Sequence, residues 1–101
     1  MEHLSIYFKH EIEDISTYTE FVLKVKSKLE RNLLGTYLGD DMAIDGGDAE
    51  ALFASTSAKE LFDFIRSDLN SLHFMQGAKI TFTLGDLGAN APEETFTFQR
   101  I

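Results

Sequence analysis

Positions 3–9 alternate, with Leu4, Ile6 and Phe8 on one side and Ser5, Tyr7 and Lys9 on the other. A period of two predicts a strand with one buried face. After a polar stretch at 10–14, Thr17 and Glu20 stand three apart. That is the spacing of a capping box, in which hydroxyl and carboxylate each satisfy an orphan helical N–H. Tyr18, Val22, Val25, Leu29 and Leu33 then recur every three or four residues, an apolar helical stripe over about four turns. Lys24, Lys26, Lys28 and Arg31 gather toward its C-terminal half, where the helix dipole favours positive charge. Gly35 is placed to end this helix in a left-handed conformation.

Residues 36–54 read as two short apolar segments joined by Asp45-Gly46-Gly47. An Asp-Gly pair between such segments predicts a hairpin, because Gly accepts the positive φ of a tight turn. Ser57 and Glu60 repeat the capping-box spacing, and Ala58, Leu61, Phe62, Ile65, Leu69 and Leu72 make a second helical stripe. Ile80, Phe82 and Leu84 alternate with Lys79, Thr81 and Thr83; a Gly-, Asn- and Pro-containing loop at 85–94 leads to a last strand carrying Phe96 and Phe98. The order is β-α-β-β-α-β-β. Its simplest packing is an α+β two-layer sandwich, with both helices on one face of an antiparallel sheet. The expected fold is thus ferredoxin-like with an added C-terminal strand. The helices would cover Leu4, Ile6, Phe8, Ile80, Phe82, Leu84, Phe96 and Phe98, leaving Ser5, Tyr7, Thr81, Thr83, Thr95 and Thr97 on the open face.

The length of 101 residues suits a single domain, 1–101, and a hydrophobic content of 44% suffices for one core. The apolar runs fall short of a membrane span and the N-terminus lacks a signal-peptide pattern. With no Cys, disulfides and thiolate chemistry are excluded, and a cytoplasmic location is expected. Nine basic against seventeen acidic residues give a net charge of −8, which disfavours nucleic acid and anionic membranes as partners.

Catalytic patterns are missing. His3, His10 and His73 show no metal-ligand spacing. The run Asp41 to Gly46 starts like a calcium loop, but Ala43 and Leu52 stand where it needs oxygen ligands. Neither a nucleophile elbow nor a phosphate-cradling glycine loop occurs. The acids of 40–50 sit in a polar, Gly-rich segment, where a pKa split suited to acid–base catalysis is not expected. The chain therefore reads as a non-enzyme without cofactor or metal.

Charge layout carries more. Between residues 40 and 68, eight acids stand against Lys59 and Arg66, a net −6, whereas the first helix, 17–34, carries net +2. An acidic side of this kind steers a basic partner into contact. Its candidate residues are Asp40, Asp41, Asp45, Asp48 and Glu50, then Glu60 and Asp63, with Tyr37 as a possible aromatic anchor.

The stretch Gly35 to Thr83, with YLGDDMAIDGGDAEALF followed by KELFDFIRSDL, resembles small bacterial immunity proteins of contact-dependent growth inhibition and other polymorphic toxin systems. The resemblance rests on Asp45-Gly46, Glu50 and the pattern of the following helix. It implies a stoichiometric inhibitor, monomeric or weakly dimeric, that binds a cognate basic, nuclease-type toxin domain one-to-one. The alternative is a small dimeric ferredoxin-like enzyme or ligand-binding domain using the open sheet face, with a pocket ringed by Tyr7, Thr81, Thr83 and Thr95.

Overall fold

The chain runs β1 (Glu2–Lys9), α1 (Ser16–Asn32), β2 (Thr36–Met42), β3 (Asp48–Ser55), α2 (Ala58–Asn70), β4 (Lys79–Thr83) and β5 (Glu93–Thr97). This computed structural model describes residues 1–9, 16–42, 48–72, 75–86 and 90–100, with the backbone alone at Thr17 and at 40–42. The sheet order is β2-β3-β1-β4-β5 and every neighbouring pair is antiparallel. Both helices lie on one face, so the α+β two-layer sandwich is present, in ferredoxin-like order with a fifth strand beside β4. Asp45-Gly46, His10 and His73 lie outside the described residues, as does the hydroxyl of Thr17 on which the first capping box depends.

β1 takes the centre because its alternating face is the most apolar. Register sets Leu4 opposite Phe53 and Phe82, and Ile6 opposite Ala51 and Ile80. These rows meet Tyr18, Phe21, Val25 and Leu29 of α1 and Leu61, Phe62, Ile65 and Leu69 of α2 in one buried cluster. Ser57 caps α2 as expected, its hydroxyl accepting from the Glu60 N–H at 3.3 Å. The reciprocal half of the box is replaced: the Ser57 N–H donates to Ser55 Oγ at 3.2 Å, and Glu2 of β1 accepts the Ala58 N–H at 2.8 Å. The cap thereby ties α2 to β1 and β3.

Two expectations about α1 are corrected. Leu33 leaves the apolar stripe: it is 91% exposed and takes φ +54, while the Leu34 N–H reaches back to the Leu29 carbonyl at 3.3 Å. That bond is the signature of a Schellman end with Leu33 at the left-handed position, two residues before the expected Gly35. Gly35 instead serves a close approach, since a Cβ there would stand 2.5 Å from the Ala54 carbonyl oxygen of β3. The chain must start pairing at once, with Thr36 opposite Ala54, and this contact fixes where the glycine falls.

The two positions should therefore respond oppositely. Leu33→Gly relieves left-handed strain at an exposed site, offset in part by unfolded-chain entropy, and is expected to raise stability by roughly 0.5–1 kcal/mol. Gly35→Ala forces β2 away from β3 and is expected to lower stability by about 1–3 kcal/mol. Urea unfolding of both variants checks the pair; a stabilising Gly35→Ala would show that the edge strand gives way freely.

Phe96 is a third correction. Its ring packs near-perpendicular to Phe62, 5.4 Å between centroids, yet stays 39% exposed. β5 lies at the sheet's edge, where helical cover runs out, whereas Phe98 just beyond it folds back under the layer and is buried.

Candidate functional site

Period two along β3 places Asp48, Glu50 and Leu52 on the sheet face that no helix covers, next to Ser5 and Tyr7 of β1. Cross-strand diagonals join them. The Tyr7 hydroxyl donates to Asp48 Oδ2, and the Ser5 hydroxyl donates to Glu50 Oε2 at 2.9 Å. Among the described residues, no cation lies within ion-pair distance of either carboxylate. Both carboxylates are thus held in place by neutral donors and by no ion pair, although the register sets Lys9 directly opposite Asp48. On the neighbouring strand the register sets Asp41 opposite Glu50, in the row of the uncovered face, and Asp40 opposite the buried Ala51, in the row of the helix-covered face.

The other candidates divide. Glu60 and Asp63 are exposed on α2, in the helical layer, on the opposite side of the molecule from Asp48 and Glu50. Tyr37 is half-buried, with its ring 5.3 Å from that of Phe53 and nearly perpendicular to it, and so is committed to the core. Asp45 lies outside the described residues. The structure thus brings Asp48 and Glu50 together, with Asp41 opposite Glu50 in register, and leaves Asp40, Glu60, Asp63 and Tyr37 apart from them.

Asp68 corrects the charge layout. Only 5% exposed, it sits between the helices with Lys28 Nζ at 2.8 Å and Lys24 Nζ at 3.2 Å. Lys28 also lies 4.8 Å from the centre of the Phe64 ring. One acid of the acidic segment is therefore paired with two bases of the first helix as a clasp between α1 and α2. The sequence held a signal for this: Asp68 falls three residues after Ile65, on the buried stripe.

Toward β4 and β5 the open face carries polar contacts. The Thr81 and Thr95 hydroxyls lie 3.2 Å apart, and His3 Nδ1–H donates to the Gly85 carbonyl at 3.0 Å. A hollow of about 320 Å³ beside Tyr7 is walled by Phe8, Lys9, Gln76, Gly77, Ala78 and Lys79. Thr81, Thr83 and Thr95 do not line it, so the pocket expected around those threonines is not what this hollow is. Among the described residues, no three His, Asp or Glu side chains gather as a metal-binding group, and no helix is long and apolar enough to cross a membrane.

Electrostatics mark Tyr7. Its bond to Asp48 is the largest influence raising the phenol above its ordinary value of 10.0, followed by desolvation and the fields of Asp48 and Glu50. The bond keeps the phenol protonated, so its contribution is complete below pH 10 and disappears as pH rises through the elevated value. Phenolate absorbance, read as wild type minus Tyr7→Phe, should show a group titrating above 10, and Asp48→Asn should bring it down. A Tyr7 that titrates normally in both proteins would mean the bond is not held in solution.

Comparison of the chain with protein-family models, with curated proteins and with solved structures finds no match.

Proposed function

We propose that this chain is a non-enzymatic inhibitor, an immunity protein that binds a cognate basic, nuclease-type toxin domain one-to-one in the cytoplasm. The observation that carries the reading is the pair Asp48 and Glu50, exposed on the uncovered sheet face and fixed by Tyr7 and Ser5 with no ion pair to either carboxylate. Pre-positioned carboxylates lose little side-chain freedom on binding, and a net negative field draws lysines and arginines of a partner toward them. Asp41, set opposite Glu50 on the adjoining edge strand, adds a further acidic position to the same register row. A total charge of −8 speeds encounter with a cationic surface and repels nucleic acid from the complex.

The test is co-purification from the source cell with the tagged protein at low and moderate salt, with attention to the product of the gene immediately upstream. The expected result is a basic, toxic domain in one-to-one ratio, released as salt rises. A neutral or acidic partner, or no toxic partner at either salt concentration, would overturn the proposal.

A further inference from the structure

The two edges of the sheet end differently. β2 is broken by a register shift between Tyr37 and Gly39, where Gly39 takes φ +141, and an edge interrupted in this way resists further pairing. β5 has no such interruption. It pairs with β4 residue for residue, from Glu93 opposite Thr83 to Thr97 opposite Lys79. Its bonding parity is fixed at both ends: the Leu84 N–H donates to the Pro92 carbonyl at 2.8 Å and the Phe98 N–H to the Ala78 carbonyl at 2.7 Å. Because antiparallel ladders alternate, even-numbered residues bond inward to β4, and Glu93, Thr95 and Thr97 turn their N–H and C=O groups outward.

We infer that this edge pairs with the β5 edge of a second copy, antiparallel about a two-fold axis at Thr95, joining two five-stranded sheets into one. The order Glu-Glu-Thr-Phe-Thr selects that partner. With Thr95 opposite the partner's Thr95, Glu93 meets the partner's Thr97 and Glu94 the partner's Phe96, so no carboxylate stands opposite another. Every outward N–H and C=O of Glu93, Thr95 and Thr97 then finds a bond. A register centred on Glu94 would set two Glu94 carboxylates face to face. One centred on Phe96 would pair only Thr95 with Thr97 within the strand. Glu94 is already held by Lys59 at 3.2 Å, which lowers its repulsion across the seam, and the exposed part of Phe96 comes to lie beside a strand. The axis keeps both helical layers on one side and leaves Asp48 and Glu50 uncovered on both copies, so the inference stands independently of the inhibitor reading.

The test uses the full chain, which has no Cys of its own. Opposed residues of a hydrogen-bonded antiparallel pair lie about 5.5 Å apart at Cα, within disulfide reach. Oxidised Thr95→Cys should therefore yield a covalent dimer, and Thr97→Cys, with its two copies roughly 13 Å apart across the axis, should not. Thr95→Pro removes only an outward N–H, which an edge strand tolerates. It should remain folded by circular dichroism and weaken the dimer roughly tenfold or more in sedimentation. Because each copy carries −8, the wild-type dimer should tighten as salt rises, the reverse of what binding to a basic partner does. A wild type that stays monomeric at all concentrations and salts, equal cross-linking of both cysteine variants, or a folded Thr95→Pro that dimerises undiminished would each overturn the inference.

Discussion

Phe62→Ala is expected to lower stability by about 3–5 kcal/mol, the range for truncating a buried aromatic ring. Phe62 is the point where α2 grips the far side of the sheet. Its ring centre lies 5.9 Å from that of Phe82, 5.4 Å from Phe96 and 6.1 Å from Phe98, each at a steep angle. The Arg66 guanidinium lies 5.9 Å away over the same ring. Edge-to-face packing of this kind adds to the burial itself. Losing it should also redistribute stability, because the Phe62 ring is packed directly on Phe96 of β5. Amide exchange should therefore show β5 losing protection well before β1 and β3, with urea unfolding giving the total. A loss below 1 kcal/mol, or protection lowered evenly over all strands, would mean that the four rings do not act as one cluster.

Asp48→Lys combined with Glu50→Lys is expected to slow association with the basic partner on the order of 100-fold at low salt. Dissociation should change less, and the gap between variant and wild type should shrink as ionic strength rises. Each reversal moves the net charge by two, so the double variant carries −4 in place of −8. Glu60→Lys combined with Asp63→Lys makes the same change on the helical layer. The two pairs separate a local surface from a global field. If the sheet face is the docking surface, the first pair should cost much more than the second. Equal effects would reduce the acids to a solubilising charge, and a larger effect from the helical pair would move the interface to α2.

Much of the fold was legible because period two and period 3.6 alternate cleanly along the chain, and because Asp45-Gly46 separates two strands that the structure pairs directly. Patterning sees faces of elements; it does not see which neighbour covers them. Phe96 and Phe98 look identical in sequence, yet α2 reaches one and not fully the other. Gly35 reads as a helix terminator, but tertiary contact with Ala54 claims it, and Leu33 takes the strained position. Asp68 counts in sequence as part of an acidic stretch, though helix packing turns it inward to Lys24 and Lys28. The site divides in the same way. That Asp48 and Glu50 share a face follows from their spacing. That Tyr7 and Ser5 hold them follows from the β1–β3 register, which spacing alone does not determine. The distance between Glu50 and Glu60 in space is likewise set by the layer boundary that the chain crosses at Ser57.

The most direct test of the inhibitor reading is a titration of the co-purified partner's toxic activity with the purified protein. The account predicts a linear loss of activity that reaches completion at one equivalent, with the Asp48→Lys, Glu50→Lys variant failing to reach it at the same concentrations. Activity that persists in excess of the wild-type protein, or equal inhibition by wild type and variant, would contradict it.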